Sequence, residues 1–168
     1  QYDSFLNVGS IDNLIDCLQK VWVSLYSPHA IGYRQKQDIS QDHVRMAVVV
    51  QKQLAPHAAG VLFTRDPLSG DDHYVVSAAL GLGEGVVAGT AQTDRFVIHS
   101  DTGKLLSSEV VSKKIRVVPV EAGGIRTVSV DASESDIPAL TEDQFIDLAT
   151  LGRQLVDLLG GPQDIEFA

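Results

Sequence analysis

Short apolar segments separated by turn-forming residues run through the middle of the chain, and this pattern constrains the fold more than any other feature. The turns are rich in Asp, Ser, Pro and Gly, which favour sharp changes of chain direction. The predicted strands cover residues 60–64, 73–79, 96–98, 105–111, 115–118 and 125–130. Strands at this spacing predict a mainly antiparallel sheet.

Two helices flank this series. Ser10 is a predicted N-cap, and an apolar stripe at helical spacing follows it from Ile11 to Leu25. Thr141 and Gln144 form a predicted capping box at the start of the second helix, which Gly160 ends. These helices and the sheet predict an α+β fold. A short helix is also expected over residues 30–37, with Arg34 and Lys36 on a solvated face.

A continuous β-branched run occupies residues 44–50 and predicts a strand covered on both faces. The run stops at Gln51, Lys52 and Gln53, and Pro56 follows shortly afterwards. A buried strand that leads into a polar segment is consistent with a hinge between two lobes. A plain surface loop is equally consistent with it.

Charge and composition exclude several functions. The net charge is −9 with no block of basic residues, so no nucleic-acid partner is expected. No apolar run is long enough to span a bilayer, so no membrane partner is expected either. The single cysteine, Cys17, fits a reducing, cytoplasmic location. The chain begins with Gln1 rather than Met, which suggests a piece of a longer protein.

The last residues alternate acidic and apolar side chains. Asp164 and Glu166 alternate with Ile165 and Phe167, directly after the Gly160-Gly161-Pro162 stop. On a strand this alternation places both carboxylates on one face, where their hard oxygens suit Mg²⁺. The alternative is an ordinary half-buried strand whose acidic face is solvated.

A glycine-rich segment lies between two of the predicted strands, at residues 81–89. Glycine lets a backbone approach a ligand closely, so the segment could present N–H groups to phosphate oxygens, with Glu84 facing a metal. A tight turn that needs positive φ explains the glycines equally well. The segment lacks the Lys-Ser/Thr pair of a Walker A loop.

Six motifs in order resemble the N-terminal ATP-grasp domain of the phosphoenolpyruvate synthase and pyruvate phosphate dikinase family, which includes the similar rifampicin phosphotransferases. The matching stretches are residues 3–7, 47–52, 59–67, 81–89, 112–114 and 162–167, and they span nearly the whole chain. The resemblance implies a partial, ATP-grasp-like domain, with residues 1–52 as part of the first lobe and hinge and residues 53–168 as the second lobe.

The resemblance also implies ATP and Mg²⁺ as cofactors and assigns residues to them. Gln51 and Lys52 would lie at the hinge, with Gln51 contacting adenine, and Ser4 would lie near the nucleotide. Gly60 and Glu84 fall at nucleotide-binding positions of the second lobe. Glu166, with Asp164 beside it, would hold Mg²⁺ against the phosphates.

In enzymes of this family, ATP phosphorylates a histidine on a separate swivelling domain, which carries the group to pyruvate or to an antibiotic. The resemblance therefore implies a phosphotransferase with paired acceptors and a phosphohistidine domain of the same protein as partner. This chain has no matching phosphohistidine segment, and the family's other phosphate-gripping residues fall outside it, so we expect no turnover by this chain alone.

Three functions remain open from the sequence. The first is the ATP-binding part of a dikinase-type enzyme, whose acceptor is pyruvate with water, pyruvate with phosphate, or an antibiotic. The second is a non-catalytic nucleotide-binding module. The third is an ATP-grasp ligase, which the motifs resemble less closely.

Overall fold

The computed structural model describes residues 2–168, and the contacts among its residues divide the chain into two units. The first unit contains the residues up to Gln53 together with Pro119–Ile125, and the second contains Leu54–Val118 and Arg126–Ala168. The helices are α1 (Ile11–Ser24), α2 (Pro28–Lys36), α3 (Glu84–Val87), α4 (Ala132–Ser135) and α5 (Glu142–Leu159). The strands are β1 (Ala58–Phe63), β2 (His73–Leu80), β3 (Asp94–His99), β4 (Leu105–Glu109), β5 (Ile115–Pro119), β6 (Ile125–Ser129) and β7 (Asp164–Phe167).

The first unit is built on α1 and α2. Ser10 caps α1 as predicted, since its side chain accepts a hydrogen bond from the backbone N–H of Asn13. Within the same unit, Asn7 has a positive φ of 53°. Its side-chain amide donates to the carbonyls of Val120 (2.7 Å) and Gly124 (2.8 Å), which ties the segment before α1 to the turn at residues 119–125.

Arg34 is buried, so the prediction that it lies on a solvated face was wrong. The residue is only 3% exposed, and its guanidinium donates to the carbonyl of Leu25 (2.7 Å) and to Oε1 of Gln41 (2.8 Å). Arg34 caps the last turn of α1, where carbonyls have no intrahelical partner. The neighbouring Lys36 is exposed, as expected.

The predicted buried strand at residues 44–50 was also wrong. The segment forms no strand, and Val49 and Val50 are 84% and 63% exposed. Only Val44, Met46 and Val48 are partly buried, so the chain keeps an alternating, extended character up to residue 48. A strand exists only by pairing with a neighbour, and no described strand pairs with this segment.

The second unit is organised around a five-stranded sheet in the order β4-β3-β2-β1-β7. All four of its pairings are antiparallel, which confirms the predicted sheet type. A separate two-stranded sheet pairs β5 with β6. The chain is therefore an α+β protein with a mainly antiparallel sheet and flanking helices.

One face of the five-stranded sheet carries the hydrophobic core, and α5 packs against it. The core of the second unit consists of Leu62, Tyr74, Val76, Ala78, Leu80, Phe96, Ile98, Ala139, Leu140, Phe145, Leu148 and Ala149. The capping box at Thr141 and Gln144 is present as predicted. Gly152 brings α5 close to the sheet, because a Cβ there would lie 2.6 Å from Cε2 of Tyr74. We call this side of the sheet the core face and the other side the second face.

Candidate functional site

The acidic side chains of β7 lie on the second face, as their alternation predicts. Val61 of β1 pairs with Glu166, and Phe63 pairs with Asp164. Ile165 and Phe167 point the other way and pack against the core. Because directly opposed residues of a sheet share a face, the two exposed carboxylates lie on the second face, beside Val61 and Phe63 of β1.

Helix α5 and a sharp turn deliver this strand. Gly160 and Gly161 both have positive φ, 75° and 88°, so the chain reverses in a conformation that favours glycine. Thr64 then fixes the start of β7. Its backbone N–H donates to the carbonyl of Gln163 (3.0 Å), and its Oγ1 accepts from the backbone N–H of Gln163 (2.6 Å).

The glycine-rich segment reaches the same face of the sheet. A Cβ at Gly83 would lie 3.6 Å from Cβ of Ala59. Ala59 and Val61 are two residues apart on β1 and therefore share a face, at a spacing of about 7 Å. Gly83 thus lies over the second face, close to the position that pairs with Glu166.

Hydrogen bonding within the glycine-rich segment limits what it can offer a ligand. The N–H groups of Gly81, Leu82, Gly85, Val86 and Val87 donate to carbonyls of the chain itself. Among the described residues, those of Gly83 and Glu84 donate to no backbone carbonyl. The tight turn expected as one alternative is present, since Gly81 (φ 84°) and Gly89 (φ 65°) are turn glycines. Contact of the N–H groups of Gly83 and Glu84 with phosphate stays a prediction.

The structure places the other predicted site residues as follows. Glu84 is exposed at the first position of α3. Ser4, Gln51 and Lys52 belong to the first unit, and all three are exposed. Gly60 pairs with Phe167, and a Cβ there would lie 2.0 Å from the carbonyl oxygen of Ser77 and 2.9 Å from Cζ of Phe167. The close approach of the β2 backbone and of the Phe167 ring therefore requires glycine at position 60 without any ligand.

The second face also carries a cation that the sequence analysis did not single out. Arg95 of β3 is directly opposite Ser77, which is opposite Val61, so Arg95 and Glu166 lie in one row across the sheet. Three strand spacings separate their Cα atoms, about 14 Å.

Arg95 also contacts an acidic side chain, since its Nη2 lies 3.4 Å from Oδ2 of Asp66. Oδ1 of Asp66 accepts a hydrogen bond from the backbone N–H of Leu68 (2.8 Å). This hydrogen bond is the main cause of the lowered pKa of the Asp66 carboxyl.

Asp164 and Glu166 fit a divalent cation that is bound partly by other ligands. Two neighbouring carboxylates on an exposed face supply oxygens of the type that Mg²⁺ prefers, and Mg²⁺ commonly keeps waters and substrate phosphates as its remaining ligands. Within residues 2–168 no cluster of three or more His, Cys, Asp or Glu side chains is arranged to hold a metal ion. A metal at this site would therefore need ligands from a phosphate compound or from water.

Comparison with known proteins places the chain in a family. Residues 1–168 match the family described as the pyruvate phosphate dikinase AMP/ATP-binding domain. A rifampicin phosphotransferase from Streptomyces sviceus is 39% identical over 168 residues, which cover 99% of this chain and 19% of that protein. A probable phosphoenolpyruvate synthase from Methanocaldococcus jannaschii is 34% identical over 169 residues, covering 100% of this chain and 14% of that protein.

A phosphoenolpyruvate synthase from Pyrococcus furiosus is 33% identical over 175 residues, which cover 100% of this chain and 21% of that protein. The chain therefore belongs to the pyruvate phosphate dikinase AMP/ATP-binding domain family, and the resemblance seen in its motifs is confirmed. It spans between 14% and 21% of the length of these relatives. Within the described residues, no helix has the length and apolar character that a membrane crossing requires.

Proposed function

We propose that this chain binds ATP together with Mg²⁺ and serves as the ATP-binding part of a dikinase-type phosphotransferase. The observation that carries the proposal is the placement of the exposed side chains of Asp164 and Glu166 next to each other on the second face, the face that Gly83 also reaches. Membership of an AMP/ATP-binding family supports ATP as the nucleotide. The proposal includes an ATP-grasp-like domain with lobes at residues 1–52 and 53–168, which the mixed α+β fold with a mainly antiparallel sheet supports.

Each predicted site residue has a role in this proposal. Glu166 and Asp164 hold Mg²⁺, which neutralises charge that develops on a transferring phosphoryl group. Glu84 and the free N–H groups at Gly83 and Glu84 face the phosphates, and Gly60 keeps β7 against β1. Gln51 contacts the adenine, with Lys52 and Ser4 near the nucleotide.

The acceptors complete the proposal. The β-phosphoryl group of ATP passes to a histidine on a swivelling domain of the same protein and then to pyruvate, as in phosphoenolpyruvate synthases. The γ-phosphoryl group goes to water or to phosphate, and AMP is left. A second candidate acceptor is rifampicin, because a rifampicin phosphotransferase is 39% identical to this chain. The single cysteine supports a location of the protein in the reducing cytoplasm.

Titration calorimetry on the full-length protein tests ATP and Mg²⁺ binding. Glu166→Ala is expected to weaken Mg·ATP binding at least tenfold, as loss of one charged ligand contact of about 1.5–3 kcal/mol predicts. Asp147→Ala is the matched control, because it removes an exposed carboxylate from α5 of the same unit. Equal affinities for the wild type and Glu166→Ala would contradict the proposal and favour a non-catalytic module.

Acceptor assays separate the two candidate enzymes. AMP formation from Mg·ATP is measured with pyruvate or with rifampicin as the added substrate. Stimulation by pyruvate alone supports a phosphoenolpyruvate synthase-like enzyme, and stimulation by rifampicin alone supports the antibiotic-modifying alternative.

A further inference from the structure

Thr64 makes an unusual set of contacts with the residue that precedes the acidic strand. Its backbone N–H donates to the carbonyl of Gln163 (3.0 Å), and its Oγ1 lies 2.6 Å from the backbone nitrogen of Gln163, from which it accepts. One residue thus holds both main-chain polar groups of Gln163. Thr64 is only 6% exposed, so little water competes for these hydrogen bonds.

The strand that follows Gln163 needs such support. Within the described residues, β7 pairs with β1 alone. Gly160 and Gly161 precede it in positive-φ conformations, so the turn before β7 is built from residues with wide backbone freedom. Side chains alternate along a strand, so a slip of one residue would turn Asp164 and Glu166 toward the core face.

The two ends of β7 are held in different ways. At the far end, Phe167 packs against the core and its ring occupies the space that Gly60 leaves free. At the near end, the hydrogen bonds from Thr64 act one residue before Asp164. The near end therefore depends on a hydroxyl group, while the far end depends on apolar packing.

Helix α5 fixes the orientation of the Thr64 side chain. A Cβ at Gly152 of α5 would lie 3.3 Å from Cγ2 of Thr64, so the methyl group faces the helix. With the methyl group against α5, the hydroxyl group is directed toward Gln163. A β-branched side chain has few χ1 alternatives, which keeps this arrangement rigid.

We propose that Thr64 is a positioning residue that locks the register of β7 and so aims Asp164 and Glu166 at the metal. This proposal rests on the proposed function for the metal and nucleotide, but the lock on β7 can be measured without either. Thr64 itself need not touch the nucleotide. It acts through Gln163.

Two substitutions in the full-length protein separate the hydroxyl from the methyl group. Thr64→Val keeps the shape and removes the hydroxyl, and Thr64→Ser keeps the hydroxyl and removes the methyl. The first measurement is amide hydrogen exchange of a peptide covering residues 162–168, with the β2–β3 region as internal reference. The second is the affinity for ATP with Mg²⁺ and, separately, with a chelator in place of the metal.

Thr64→Val is expected to speed exchange in residues 162–168 about tenfold, as loss of about one hydrogen bond predicts, and to leave the β2–β3 region unchanged. It should lower the affinity for Mg·ATP by a similar factor without changing the metal-free affinity. Thr64→Ser should stay closer to the wild type than Thr64→Val in both measurements, because it keeps the hydroxyl group although it loses the methyl contact with α5. A general loss of packing would not give such a rescue.

The outcomes distinguish this proposal from the proposed function. If amide hydrogen exchange at residues 162–168 is unchanged in Thr64→Val, the proposal that Thr64 fixes the register of β7 is overturned. Faster exchange with an unchanged effect of Mg²⁺ on affinity overturns its role in aiming the carboxylates. If the wild type itself gains no affinity from Mg²⁺, the proposed function fails, while the exchange data still decide whether Thr64 holds β7.

Discussion

Lys113 and Asp94 form an ion pair in which both side chains are completely buried, with Nζ 2.8 Å from Oδ1 and 2.9 Å from Oδ2. The Asp94 carboxylate also accepts from the backbone N–H groups of Val111 (3.0 Å) and Ala139 (2.8 Å). The pair therefore joins the start of β3, the segment after β4 and the approach to α5. Neither group belongs to the proposed site.

Removing one partner of this pair leaves a buried charge without its counterion. Lys113→Met is expected to lower the free energy of unfolding by about 3–5 kcal/mol. Urea unfolding checks the value, and Lys114→Met is the control because Lys114 is exposed. A change for Lys113→Met no larger than that of the control would contradict this view of the pair.

Substitution of Gly60 tests the close approach of β1 to β2 and to the Phe167 ring of β7. Gly60→Ala places a Cβ within 2.0 Å of the Ser77 carbonyl oxygen, so the strands must separate. We expect a loss of about 1–3 kcal/mol or more in thermal unfolding. Gly32→Ala in α2 is the control. Its Cβ meets nothing within 4 Å, and alanine should stabilise that helix by about 0.5–1 kcal/mol.

Arg34 tests burial of a cation in the first unit. Arg34→Met removes the hydrogen bonds to Leu25 and Gln41 while keeping an apolar stem of similar length. A loss of about 2–3 kcal/mol is expected, because the carbonyl of Leu25 loses a charged donor. Lys36→Met should change stability by less than about 0.5 kcal/mol, since Lys36 is exposed. Equal effects of the two substitutions would refute the structural role of Arg34.

The pKa of Asp66 predicts a pH dependence of stability. Hydrogen bonds from the backbone N–H groups of Leu68 and Ser69 and the charge of Arg95 lower this pKa below its ordinary value of 3.8. The ionised form is therefore the one that the folded state favours. Its contribution is present above pH 3.8 and is lost as the pH falls through the lowered value of the folded state.

Thermal unfolding of Asp66→Asn across pH measures this contribution. The substitution should lower Tm at neutral pH, and the difference from the wild type should shrink below about pH 4. Asp71→Asn, an exposed carboxylate in the same loop, should show no such convergence. A difference that stays constant down to about pH 2 would contradict the prediction.

Local signals in the sequence predicted the elements whose structure depends on their own residues. The capping box at Thr141, the N-cap at Ser10 and the alternation at β7 are all present. The prediction of a strand at residues 44–50 was wrong because a strand requires a neighbouring strand to pair with, and β propensity alone does not supply one. The alternation of acidic and apolar residues in β7 correctly predicted that Asp164 and Glu166 share one face of the sheet, opposite to Ile165 and Phe167.

Burial of charged residues could not be predicted in the same way. Arg34 and Lys113 are buried because their acceptors, at Leu25 and Asp94, are brought to them by the fold. The part of the candidate site that depends on Thr64 was missed for the same reason, since Gln163 lies 99 positions further along the chain. The turn between α1 and α2 decides the first of these contacts, and the approach of segments distant in the sequence decides the other two.

In β7, substitutions on the core face and substitutions on the exposed face have different consequences: the first affect folding and the second affect what the strand can bind. Ile165 and Phe167 sustain the domain whatever it binds, whereas Asp164 and Glu166 contribute no packing to the core. A relative that binds no metal at this position could exchange both acids and still fold. Among proteins of this architecture, we therefore expect the identity of these two residues to separate working enzymes from domains that kept only the shape.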